Sequence, residues 1–141
     1  GDRVLVYFIL ETGKEAYLVP VVREITFSKD TDPRRAALEE LLAGPAADSI
    51  LTRPLPQGVR ILDLRVDDQG LATVNLSREV YDLNVGARYE ALAVAAIVNT
   101  LTEFPEVDRV QILVENEVVE SLAGHVDIRT PLERREELIL R

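Results

Sequence analysis

One histidine, His125, and four serines, Ser28, Ser49, Ser77 and Ser121, are the residues whose types could begin nucleophilic chemistry. Such chemistry needs a nucleophile with a base in hydrogen-bond reach. None of the serines lies in a G-x-S-x-G setting, and each reads as a turn or cap residue. His125 follows Gly124 near a strand end, which predicts a solvated or capping histidine. Cysteine is absent, which removes thiolate nucleophiles, thiolate metal sites and disulfides. The densest acidic group ahead of the tail is Asp63, Asp67 and Asp68. It sits beside a predicted hairpin turn, where aspartate bonds its own backbone, and its spacing does not match a calcium loop. Glu39-Glu40 and Glu136-Glu137 read as solvated helix faces. Gly44 and Gly58 stand alone, outside any phosphate-binding glycine pattern. A carboxylate pair for glycoside hydrolysis would meet only in the fold, so an acid-pair hydrolase stays open as an alternative. No catalytic, cofactor-binding or metal-ligating residue is assigned, and the chain is expected not to be an enzyme.

Binding chemistry has better candidates. Tyr7, Tyr17, Tyr81 and Tyr89 could stack on sugars of a cell-wall ligand; for Tyr7 and Tyr17 the competing reading, which is preferred, is cross-strand packing. The segment from Pro45 to Gly58 carries three of the seven prolines, Pro45, Pro54 and Pro56. It reads as an ordered surface loop, either a recognition surface or, the preferred reading, a plain crossover between a helix and a strand.

Several elements must position these residues. Val4 to Leu10 is a β-rich apolar run, closed by the polar turn Glu11-Thr12-Gly13-Lys14. Ala16 to Phe27 returns as the second strand of a hairpin. Pro20 cannot donate to a ladder, which predicts an edge position or a bulge. Asp32 as N-cap and Pro33 at the first helical position open a helix. Ala37, Leu38, Leu41 and Leu42 form its stripe, and Gly44-Pro45 ends it, giving Pro33 to Ala43. Val59 to Val66 and Leu71 to Leu76 flank the turn Asp67-Asp68-Gln69-Gly70. Ser77 to Val85 reads as a loop with one short turn. Gly86 to Phe104 is a long helix with Ala93, Ile97, Leu101 and Phe104 facing the core, closed by Pro105. Arg109 to Val114 is a strand, Glu115-Asn116-Glu117 a turn, and Val118 to Leu122 a short returning strand. The tail from Asp127 is highly charged, and Leu132 to Leu140 reads as a short helix. The order is ββαββαββ. It predicts an α+β fold with two helices on one face of an antiparallel or mixed sheet.

Composition bounds the remaining classes. The 141 residues suit a single domain, 1–141, with 127–141 as a charged C-terminal extension. With 47% apolar residues the chain can bury about two-thirds of its unfolded surface. The net charge of −9, from 25 acidic and 16 basic residues, repels nucleic acid and anionic lipid, so no nucleic-acid partner is expected. The only lysines are Lys14 and Lys29. No apolar run reaches the length of a membrane span. Opening on Gly1 without any methionine is expected of a fragment or processed chain, with room for a lipid anchor upstream.

An ordered set of segments resembles one family. Val6-Tyr7-Phe8 and Leu18-Val19-Pro20-Val21-Val22-Arg23 are similar to the first hairpin of GerMN domains, which act in sporulation and spore germination. Ala37-Leu38-Glu39-Glu40-Leu41-Leu42-Ala43-Gly44-Pro45 resembles their first helix end, and Ala72-Thr73-Val74-Asn75-Leu76-Ser77 a later strand, with Asn75 where aspartate is common. The run from Thr100 to Ile112, then Gly124-His125 and Pro131-Leu132, continue the match along nearly the whole chain. The resemblance implies an extracytoplasmic, often lipid-anchored setting and a non-catalytic role in envelope assembly. The implied partners are envelope proteins, further copies of the chain or a second GerMN domain. It also implies kinship in shape to ring-building motifs, and it carries over no catalytic residue and no cofactor. The alternative is a module that binds a cell-wall (peptidoglycan) ligand.

Overall fold

The computed structural model describes residues 2–141, so Gly1 lies outside the described range. The order of elements is β1 (Asp2–Glu11), β2 (Ala16–Ile25), α1 (Pro33–Ala43), β3 (Ile61–Val66), β4 (Leu71–Leu76), a 3-10 turn (Arg78–Asp82), α2 (Ala87–Thr102), β5 (Arg109–Val114), β6 (Glu117–Val118) and a second 3-10 turn (Glu136–Leu138). The ββαββαββ order holds, and the fold is α+β. The strands, however, form two sheets. β1 and β2 make an antiparallel hairpin of their own, and the second sheet runs β3-β4-β5-β6. Both helices touch β1, while α1 also reaches β3 and α2 also reaches β2 and β5. The helices are therefore a layer shared by both sheets.

Local chemistry explains the boundaries. The Asp32 carboxylate accepts from the Arg34 amide at 3.0 Å, Pro33 opens α1, and Gly44 at φ 86° closes it. A side chain on Gly44 would run into the guanidinium of Arg53, which donates to the last carbonyls of α1, those of Leu42 and Ala43. Pro20 faces Tyr7 in the two-stranded sheet, where every strand is an edge, so its missing N–H leaves the hairpin intact. Glu115 and Asn116 have φ of 50° and 66°, the two positive values that a type I′ hairpin requires. Non-glycine residues reach that region at a cost. Here the Asn75 side chain accepts from the Asn116 amide at 2.7 Å, and the Glu115 carboxylate accepts from the Arg78 amide at 3.0 Å.

The second sheet presents its core face through pairs in parallel register: Ala72 with Val110, Val74 with Ile112, and Leu76 with Val114, all buried. A parallel pair needs a covering crossover, and α2 is that crossover. One apolar stripe was expected on α2. Instead every residue from Leu92 to Leu101 is buried. The alanines and valines of this run let neighbours approach from all sides.

The C-terminal segment supplies the last side. The short helix expected over Leu132 to Leu140 is absent apart from the 3-10 turn, and the strand expected over Val118 to Leu122 shrinks to Glu117–Val118. Leu132 bridges to Val110 in antiparallel fashion, and Ile139 bridges to Leu18 in parallel. Ile128, Leu138 and Ile139 are buried. Charge along this stretch predicts a solvated surface. Arg134 instead turns inward, donating to the Tyr7 hydroxyl at 2.7 Å, to Glu103 at 2.8 Å and to the Asn99 carbonyl at 2.9 Å. If this strap belongs to the core, Leu138→Ala should cost about 2–5 kcal/mol in urea unfolding, the usual range for a truncated core leucine. A loss below about 0.5 kcal/mol, typical of surface sites, would show the strap to be dispensable.

Candidate functional site

The residues considered for nucleophilic chemistry are occupied elsewhere. The hydroxyl of Ser49 accepts from the Leu51 amide, that of Ser77 from the Arg60 amide and that of Ser121 from the Gly124 amide. Ser28 bonds Thr31 and the Asp30 amide in an exposed turn. Ser121, His125 and Asp127 do line one shallow depression. Asp127 is held there by Arg129 at 2.9 and 3.0 Å, and that contact keeps its carboxyl near pKa 2. The depression therefore pairs Asp127 with a guanidinium rather than with the imidazole a triad requires. Asp67 accepts from the Gln69 and Leu71 amides as a turn residue, and Asp63 pairs with Arg65 at 3.0 Å. Among the described residues, no group of three or more His, Cys, Asp or Glu is placed to hold a metal ion. Glu39 is exposed, but Glu40 is half-buried and accepts from Arg23 at 2.8 Å, so only one of that pair is a plain solvated acid.

Two of the sequence's binding candidates come together at one end of the molecule. The tip of the β1–β2 hairpin and the first turn of α2 enclose an open groove lined by Glu11, Lys14, Glu15, Tyr17, Arg88 and Tyr89. The turn is tight, with the Thr12 amide donating to the Glu15 carbonyl at 2.8 Å and Gly13 at φ 90°. Tyr17 donates to Glu15, the Tyr89 hydroxyl lies near Glu11, and both hydroxyls are held above their ordinary pKa by those carboxylates. Arg88 donates to the Ala16 carbonyl at 2.5 Å, with its guanidinium 5.7 Å from the centre of the Tyr17 ring. The Pro45–Gly58 loop reaches the same end. Thr52 pairs with Ile9 through two backbone bonds of 2.8 and 3.1 Å, and its hydroxyl lies 3.4 Å from Glu11. That pairing makes the loop a rigid neighbour of the groove. Glu11 and Glu15 are both exposed. Carboxylates so open to solvent suit binding contacts better than chemistry in a water-excluded site.

The other two tyrosines lie elsewhere. Tyr7 is buried, and its hydroxyl donates to Glu103 at 2.5 Å; burial, then Glu103, raises its pKa. It is a packing residue, but its side-chain partners are Glu103, after α2, and Arg134 of the strap, while Pro20 stands opposite it in the hairpin, so the cross-strand pairing expected with Tyr17 does not form. Tyr81 is 47% exposed on the first 3-10 turn. The sequence reading missed Glu11, Glu15, Lys14 and Arg88, because nothing local shows that a hairpin tip will meet a helix start. It also missed Glu90, which is fully buried and accepts from the Leu122 amide at 3.2 Å and the His125 amide at 2.8 Å. A signal was present, since Glu90 lies three residues before Ala93 and extends the apolar stripe of α2 backward. This carboxylate fixes the loop that carries Ser121 and His125. Glu90→Gln offers one acceptor oxygen where two amides need one each. It should cost about 1–3 kcal/mol and speed hydrogen exchange at Leu122 or His125. Unchanged stability and exchange would remove this role.

Comparison with known proteins places the fold. The family model "Germane: Sporulation and spore germination" matches residues 5–120. No curated protein gives a significant match. The solved tandem GerMN domains of the sporulation protein GerM from Bacillus subtilis superpose with a TM-score of 0.81 at 24% identity, covering 99% of this chain and 48% of that one. The chain thus spans about half of that structure. The first GerMN domain of the same protein gives 0.75 at 18% identity, over 97% of this chain and 99% of that one. A candidate lipoprotein of Clostridium perfringens gives 0.67 at 24% identity, over 99% and 93%. Identities this low speak for the fold, and the family model, which takes in most of the sequence, speaks for descent. This chain belongs to the Germane family of sporulation and spore germination domains.

Proposed function

We propose that this chain is a non-catalytic assembly module, working outside the cytoplasmic membrane in sporulation or germination by contact with envelope proteins or with further GerMN copies. The family match supports the process. The tandem arrangement of the Bacillus subtilis structure supports contact between copies, and the Clostridium perfringens likeness supports a membrane-anchored, extracytoplasmic setting. No helix among the described residues is long and apolar enough to cross a membrane, so anchoring would come from outside this segment.

The observation that carries the reading is the presentation of Ile50, which is 84% exposed. Single apolar side chains on a surface are ordinary. Ile50, however, is held on a fixed turn. The Ser49 amide donates to the Ala46 carbonyl at 2.9 Å, the Leu51 amide to the Ser49 hydroxyl at 3.0 Å, and Thr52 is tied to Ile9. A rigid anchor loses little entropy on docking, and burying it in a partner pocket is worth about 1.5–3 kcal/mol.

Ile50→Glu should leave unfolding stability within about 0.5 kcal/mol, as for other surface changes. It should lower recovery of envelope proteins in pull-down, or self-association in analytical ultracentrifugation, by about tenfold. Equal recovery would remove Ile50 from the interface. A wild-type domain that stays monomeric and captures no envelope component would contradict the assembly role itself.

A further inference from the structure

We propose that the groove at the hairpin tip binds a neutral glycan strand. Its charges balance: Glu11 and Glu15 oppose Lys14 and Arg88. Neither a strongly anionic nor a strongly cationic ligand gains from such a lining, whereas a polyhydroxylated one does. Each sugar hydroxyl both donates and accepts. The groove offers two carboxylate acceptors: Glu15, whose orientation is set by the Tyr17 hydroxyl that bonds it, and Glu11, which lies beside the Thr52 and Tyr89 hydroxyls. Arg88 supplies a donor whose position is set by the Ala16 carbonyl and the Tyr17 ring.

The second requirement is an apolar face. The C–H faces of a pyranose ring pack against aromatic rings, and tyrosine supplies such a face with a polar end. Tyr17 and Tyr89 are both half-buried, with rings anchored yet partly in contact with solvent. The groove is open along its length rather than enclosed, which suits an extended polymer better than a compact molecule that must be mostly engulfed. A peptide ligand would ask for a run of unpaired backbone donors and acceptors. The backbone at this tip is already used, since the Thr12 amide bonds the Glu15 carbonyl and the Ala16 carbonyl receives Arg88.

The test is an amide chemical-shift titration of the full chain with N-acetylglucosamine tetramer and with cellotetraose. Shifts should be confined to residues 11–17 and 86–90, saturating in the millimolar range or tighter. Tyr89→Ala should weaken binding by about tenfold, the loss of one stacked ring, while Tyr89→Phe, which keeps the ring, should retain most of it. Glu11→Gln gives a second variant whose fold does not depend on a ring, and it too should weaken binding. No groove shifts with either oligosaccharide at about 10 mM, shifts elsewhere, or binding only by a charged oligomer would each overturn the proposal. Because the readout uses free oligosaccharide, a negative result leaves the assembly role standing, and a monomeric, partner-free domain leaves glycan binding standing.

Discussion

The structure depends on α2 having no side turned to water. From Leu92 to Leu101 its residues are out of solvent on every face. A helix of that kind is stable only while other segments cover it, because the apolar effect scales with the area removed from water. The hairpin, α1, the second sheet, the loop after β6 and the C-terminal strap are that cover. Buried apolar area alone would not say where each piece lies, since it has no direction. Three buried polar side chains of α2 supply direction, and each faces a different cover. Glu90 receives the amides of Leu122 and His125. Thr100 receives the amide of Tyr7 on β1 at 3.2 Å. Asn99 pairs with both the amide and the carbonyl of Arg135, at 3.0 and 3.1 Å. Unpaired burial of such groups is costly, so a cover that slipped by one residue would lose a bond as well as packing.

This logic also explains where function sits. With the helix interior committed to packing, recognition is left to the rims. The clearest rim is the end where the hairpin tip, the start of α2 and the Ile50 loop meet. The Thr52–Ile9 pairing couples the loop to β1, and Glu11 lies beside both Thr52 and Tyr89. The loop that carries the apolar anchor is thus tied to the strand that carries Glu11 of the groove.

Much of this was legible in the residues. α1 was read to its ends because its signals are local: an aspartate cap, a proline at the first turn, and a glycine followed by proline. The β4 and β5 strands declared themselves through alternation. What the sequence hid was long-range. Nothing near Arg134 or Arg135 shows that one will reach Tyr7 and the other's backbone will meet Asn99, so a charged stretch with scattered leucines read as a surface helix. Nothing in Ala91 to Val98 tells a helix covered on one face from one covered on all, though the lack of charge over that run was a hint. The split of the strands into two sheets was hidden for the same reason, since pairing partners far apart in sequence leave no periodic mark. In the candidate site, Tyr17 and Tyr89 were visible as residue types, while Glu11, Glu15 and Arg88 gain meaning only from the way the hairpin tip meets the helix.

Buried polar groups of α2, and not apolar burial alone, fix the covering segments. Hydrogen exchange of the Asn99→Ala variant, which removes the amide without adding bulk to a buried site, probes this directly. Exchange should run about tenfold or more faster across Leu132 to Leu140, with the amides of β4 and β5 little changed. Strap protection equal to that of the parent protein would contradict it and leave hydrophobic burial as the sole organiser of the fold.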